Sequence, residues 1–283
     1  MARDVEVQST RSRIARTLLD GYAIAIYVFL FAPIVLLVLF SFNANRYGTF
    51  PITGWTLTWY RQAFSDYQVH DAVSTTIKVG LQVTLVSTLV GTAAAFPLVR
   101  SRLPFREGIR IVFILPIMIP GLLIGISLLV LFTSTFHWIL SPETAVIGQS
   151  VYTTPFVILL VAARLQGFDT ALERAAADLG ANAFQRLRRV VLPLILPAVI
   201  AGALFAFTLS LDEFIITYFL IGGHNTLPIF IYTQVKFGIT PEVNAVASLL
   251  LGGSLLLLGL AFALPQVVRA AWRRVLRARP RPA

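Results

Sequence analysis

At 283 residues, 57% hydrophobic and only 13% charged, the chain carries too much apolar surface for a water-soluble globule and reads as an all-α polytopic membrane protein. It has no cysteine, which excludes disulfides, thiolate catalysis and cysteine-based metal sites together. Its formal net charge of +10 is concentrated in segments between apolar runs, so it reports membrane topology and not nucleic-acid binding.

A bilayer core takes roughly 20 apolar residues per helix, and six stretches qualify: 21–42, 76–98, 109–132, 144–165, 194–220 and 243–268. The first exceeds the apolar core of an ordinary signal peptide, which runs about 7–15 residues, and is taken as a retained helix. The basic residues alternate onto one side. Arg3, Arg11, Arg13 and Arg16 precede the first span, Arg100, Arg102, Arg106 and Arg110 lie between the end of the second and the start of the third, and Arg164, at the end of the fourth, is followed by Arg174, Arg186, Arg188 and Arg189 in the loop beyond it. Six more arginines, from Arg269 to Arg281, close the chain, whereas only Arg46, Arg61, Lys78 and Lys236 fall elsewhere. Basic residues near helix ends resist translocation, so both termini are expected in the cytoplasm. The organisation is then a cytoplasmic tail over 1–20, a six-helix membrane domain over 21–268 with a cytoplasmic loop at 168–193, and a basic tail over 269–283.

After the first span, residues 43–75 form the longest outer segment, and 57–64 has the pattern of a short helix lying along the surface, with aromatic residues suited to the membrane interface. The third and fifth spans begin with paired prolines, Pro116 and Pro120, then Pro193 and Pro197. Proline lacks the N–H that a helix interior needs, so these positions predict bent or broken helix starts, serving either as hinges or as fixed packing features. Gly121 and Gly125 have the spacing for close helix approach.

The loop after the fourth span is a charged island between apolar runs. Thr170 and Glu173 have the spacing of a capping box. Leu172, Ala175, Ala176 and Leu179 form an apolar stripe, and Gly180 sits where a helix end takes a left-handed residue. Asn182 and Gln185 repeat the capping pattern. Periodicity leaves open whether the stripe packs on its own domain or docks to a soluble partner.

Asp212 and Glu213 are the only acids inside any expected span. A carboxylate at helix centre costs about 2.5–3.5 kcal/mol, so they should face protein or water. On a continuous fifth helix they lie about 27–29 Å from Leu194 and point about 100° apart. One would line a path for a cationic solute while the other braces a neighbouring helix, although a purely structural hydrogen bond or cap is also open. Lys78 and Lys236 both follow a non-glycine residue, so the phosphate loop of an ATPase is missing, and no catalytic constellation appears.

The run from Glu173 through Arg174, Ala175 and Ala176 to Gly180, followed by Leu192-Pro193, resembles the Glu-Ala-Ala loop of binding-protein-dependent ABC importer permeases. Arg174 occupies the family's glutamate position, with Glu173 one residue earlier. The resemblance covers the whole chain. In the last third, Leu209 to Phe214 and Leu227 to Tyr232 look like the second permease of spermidine/putrescine-type importers. It implies a type I permease fold and a coupling helix formed by the loop. The implied partners are two ATP-binding cassette subunits that bind the ATP, a second homologous permease and an extracytoplasmic solute-binding protein. It also implies membrane lipid as solvent, a bacterial inner-membrane location, and neither cofactor nor nucleic acid for this chain. The alternative is an ion-coupled carrier or channel using Asp212 and Glu213.

Overall fold

A computed structural model of the chain describes residues 2–46, 50–100, 105–237, 241–256 and 259. The basic tail over 269–283 and the end of the expected sixth span lie outside them. The described residues form α1 (Ala2–Ser41), α2 (Thr58–Ser65), α3 (Tyr67–Arg100), α4 (Arg106–Met118), α5 (Gly121–Val130), α6 (Pro142–Gln166), α7 (Ala171–Asp178), α8 (Ala183–Arg186), α9 (Leu192–Asp212), α10 (Ile215–Leu220), α11 (Leu227–Phe237) and the short apolar helix α12 (Pro241–Leu256). Among them, the one strand-like feature is an isolated bridge between Asn43 and Trp55.

Two compact units divide the chain: one gathers the residues up to Ser65 with Gln234–Leu249, the other centres on Asp66–Thr233. In the first, α1 runs without interruption from the expected tail into the expected span, whose apolar window is unburied. The short helix expected at 57–64 is α2, where Trp59 donates its ring N–H to the Asn43 carbonyl at 2.7 Å and Tyr60 shares a 2.7 Å hydrogen bond with Ser41.

The described residues cover five of the six expected spans in full and the start of the sixth. Among the described residues four helices are long and apolar enough to cross a membrane: Arg16–Ser41, Tyr67–Arg100, Pro142–Gln166 and Ala183–Asp212. The expected third span is a pair of helices bent by 101°, and counts as a fifth if the pair crosses as one. Pro116 stays inside α4, whereas Ile119 and Pro120 take extended conformations between α4 and α5, so Pro120 marks the break. The expected fifth span is corrected at both ends. It begins in the loop, because α8, the π turn Leu187–Val191 and α9 make one continuous helix, and it stops at Asp212 instead of reaching Leu220. Pro193 thus follows the widened turn and Pro197 lies within the helix. Arg164, near the end of α6, donates its Nε to the Leu194 carbonyl between these prolines at 3.1 Å.

The core of the second unit has two foci. Ala95, Val157, Val161, Leu165, Val191, Ile195 and Ala206 join α3, α6 and α9. The second focus joins α5, α6, α10 and α11 through Ile124, Phe132, Ala145, Ile216, Leu220, Ile221 and Ile229. Lipid is as apolar as leucine, so such contacts hold helices together by close packing and not by escape from water. Small residues set the approach. A Cβ added to Gly125 would meet Phe219 at 3.0 Å, and one added to Gly148 would meet Leu220 at 2.2 Å and Ile216 at 2.9 Å.

Gly148→Ala is therefore expected to destabilise the purified protein by about 1–3 kcal/mol, the usual cost of overpacking. Gly252→Ala, where a Cβ meets nothing within 4 Å, should not destabilise it, since alanine is the better helix former. Thermal unfolding of both variants in one detergent checks the contrast.

Candidate functional site

The loop between α6 and α9 keeps much of its expected architecture. α7 ends in a left-handed turn at Gly180, with φ +84°. The Gly180 N–H donates to the Ala177 carbonyl at 2.9 Å and the Ala181 N–H to the Ala176 carbonyl at 3.0 Å, which together close the helix end. The second capping box is formed: Asn182 Oδ1 accepts from the Gln185 N–H at 2.9 Å, and Gln185 Oε1 accepts from the Asn182 N–H at 3.0 Å. The first is not, and this corrects the expectation. Thr170 makes no capping bond, Asp169 instead accepts the Ala171 N–H at 2.8 Å, and Glu173 is drawn away to an ion pair with Arg100 at 2.6 Å.

The apolar stripe of α7 is split by the fold. Glu173, Ala176 and Ala177 are partly covered. Arg174 and Ala175 are exposed, and so are Leu172, Leu179 at 89% and, just beyond on α8, Phe184 at 68%. Three large apolar side chains thus stand uncovered around the Gly180 turn.

The second locus is the end of α9. Asp212 is the last helical residue and is exposed; among the described residues no hydrogen bond or ion pair engages its carboxylate. Glu213 is not on the helix, which corrects the expectation of two carboxylates about 100° apart on one continuous span. Its backbone is extended, with φ −72° and ψ 115°. Its side chain turns forward to cap α10: Oε1 accepts the Ile216 N–H at 2.9 Å, and Oε2 accepts the Thr217 N–H at 2.9 Å and the Thr217 hydroxyl at 2.7 Å. A carboxylate at a helix start satisfies otherwise unpaired N–H groups and meets the positive end of the helix dipole.

Gln149, which the sequence reading passed over, secures the break. Its side chain is fully buried. Nε2 donates to the Thr217 hydroxyl at 2.6 Å, and Oε1 accepts from the Ser210 hydroxyl, so one amide of α6 joins the last turn of α9 to the first turn of α10. The network continues into α3, as Thr153 donates to the Gln149 carbonyl at 2.9 Å and shares a 2.5 Å hydrogen bond with Ser87. The signal in sequence was a lone glutamine within an apolar run. Beside the break Phe214 packs against Tyr218 and Tyr232, with ring centroids 5.5 and 4.9 Å away.

The family of binding-protein-dependent transport system inner membrane components matches residues 87–282, which include both loci. The spermidine/putrescine transport system permease protein PotC of Escherichia coli strain K12 is 37% identical over 252 residues, covering 86% of this chain and 92% of its own. The putrescine transport system permease protein PotI of the same strain is 35% identical over 233 residues, covering 80% and 83%. Among solved structures, a bacterial ABC transporter that imports the acidic polysaccharide alginate aligns with 92% of this chain and 96% of its own at a TM-score of 0.68 and 16% identity. The MetNI methionine ABC transporter aligns with 72% and 98% at 0.57 and 20%. At such identities these structures establish the fold, that of an ABC importer permease.

Gln149→Leu keeps the volume but leaves the Ser210 and Thr217 hydroxyls without their bridge. It is expected to cost about 2–4 kcal/mol through unpaired buried polar groups, against about 0.5–2 kcal/mol for Glu213→Ala, which removes a helix cap. Thermal unfolding ranks the two.

Proposed function

We propose a function from one premise: the chain belongs to the family of binding-protein-dependent transport system inner membrane components. On that premise it is the permease subunit of an ATP-driven importer in a bacterial inner membrane. It translocates a small organic solute, a polyamine such as spermidine or putrescine, delivered by an extracytoplasmic binding protein. A second homologous permease completes the pore, and two ATP-binding cassette subunits bind and hydrolyse the ATP.

The observation that carries this reading is the uncovered apolar face around Gly180. Leu172, Leu179 and Phe184 are exposed on a loop whose turn at Gly180 is closed by backbone hydrogen bonds, and large exposed apolar side chains near an ordered turn suit a protein partner. Arg174, Ala175 and Gly180 belong to the same face, and Ala175 lets a partner's surface approach the backbone. In this reading the ATPase subunits receive the loop, and their closure moves it. The break at Pro120 and the prolines Pro193 and Pro197 are where the spans yield.

Asp212 is the group through which a cationic solute is drawn into the path. A carboxylate without an internal partner attracts an ammonium, and the neighbouring Phe214, Tyr218 and Tyr232 rings present faces that favour cations. The polyamine assignment rests on this chemistry together with what PotC and PotI are named for. Glu213 supports the path by holding α10 in place.

In nanodiscs holding the assembled complex, spermidine-loaded binding protein should stimulate ATP hydrolysis. Asp212→Asn should weaken spermidine uptake about tenfold or more, the scale of a lost charge-assisted contact, with basal hydrolysis kept. Stimulation by a different solute would retain the importer and discard the polyamine. Uptake driven by an ion gradient without ATP would favour the ion-coupled carrier instead.

A further inference from the structure

Glu173 and Arg100 are 73 residues apart in sequence but in contact in the fold, and the surroundings of that contact are specific. The carboxylate lies 2.6 Å from the guanidinium, with both side chains about a quarter exposed (23% and 28%). The guanidinium also lies over two rings, 5.0 Å from the centre of Phe168 in the loop and 5.7 Å from that of Phe96 one turn earlier in α3. Arginine's planar, delocalised charge suits this position between a carboxylate and aromatic faces, whereas lysine would supply only a point charge.

The place of the pair matters as much as its geometry. Arg100 is the last residue of α3, and Glu173 lies in the first turn of α7. Between α7 and the ends of α3 and α6 there is a cleft of about 520 Å³, lined by Val99, Arg100, Leu165, Phe168, Thr170 and Glu173. An ion pair with a stacked guanidinium connects the two sides of that cleft. α3 in turn packs along α6 and α9 through Ala95, Val157 and Ala206. A displacement of α7 therefore has a direct route into the three-helix core.

We propose that the Arg100–Glu173 pair is the tether through which movement of the loop is delivered to α3. Glu173 is then a positioning residue that acts through Arg100, and is not a contact for the ATPase subunits. Those subunits meet the opposite face, where Arg174, Leu172 and Leu179 are exposed. This assignment rests on the reading of the loop as the coupling element. It explains the shifted carboxylate: Arg174 points outward, and the acid one residue earlier is used within the chain.

The test compares Arg100→Glu, Glu173→Arg and the double reversal in the full complex reconstituted into sealed proteoliposomes. Three quantities are read: retention of the ATPase subunits, ATP hydrolysis with and without loaded binding protein, and solute uptake per ATP. Each single reversal should retain the ATPase subunits but lower uptake per ATP about fivefold or more, and the double should recover to within about twofold of wild type, as expected for directly coupled residues. Arg100→Lys should recover only in part. If a reversal prevents assembly, Arg100→Gln and Glu173→Gln are read in the same way. Three results would overturn the tether: single variants that couple like wild type, a double variant that assembles or couples no better than the worse single, or Glu173→Arg shedding the ATPase subunits without rescue by Arg100→Glu. A wild-type chain with no co-purifying ATPase would sink the importer reading and the tether together, whereas normal wild-type transport with uncoupled pair variants supports both.

Discussion

Where an apolar helix stops and a new one begins, backbone and hydroxyl groups cut off from water need partners within the protein, and this structure supplies them with one glutamate and one glutamine. Glu213 takes the N–H groups of Ile216 and Thr217, and Gln149 fastens Thr217 to Ser210 across the gap. A buried polar group left unpaired costs about 1–3 kcal/mol, so these partners stabilise the break. The exposed Asp212 at the end of α9 depends on this arrangement. Were the span continuous to Leu220, that carboxylate would sit within a helix with no end to define its direction.

The same neighbour braces α9 near its other end. α6 supplies Gln149 at the break and Arg164 at the Leu194 carbonyl near the loop. Between these braces, the continuous helix Ala183–Asp212 spans 30 residues, about 45 Å at 1.5 Å per residue. One rod therefore connects the capped turn beyond Gly180 with the acid at the break. The π turn Leu187–Val191 is the local adjustment that carries this rod past Pro193.

How much of this was legible in sequence depended on the range of the interaction. Gly180 and the Asn182–Gln185 box were readable because their partners lie within five residues, where spacing determines geometry. Thr170 and Glu173 had the right spacing too, but a partner 73 residues away took the carboxylate, and no local pattern carries that competition. The break at Glu213 was hidden for a related reason. The run from Ile215 to Leu220 is as apolar as the helix before it, so hydropathy continues through a point where the backbone does not. The signals that do mark the break, Ser210, Glu213 and Gln149, come from two elements and acquire meaning only when the fold joins them. Pro120 was the opposite case, since proline's effect on its own backbone is local and the expected bend is found there.

The two interrupted spans are also linked to each other. α5 follows the bend at Pro120, α10 follows the break at Glu213, and the two half-spans pack together where Gly125 admits Phe219 and Gly121 faces Ile216. Ile124, Ile216 and Leu220 share one core cluster, and close-packed interiors resist independent shifts of their members. α5 and α10 therefore pack as one unit, with Pro120 on one side and the Gln149-bridged gap on the other as the places where the backbone departs from helix. The end of α9 meets that pair at Ser210 and Glu213, beside Asp212 and the aromatic rings at the break.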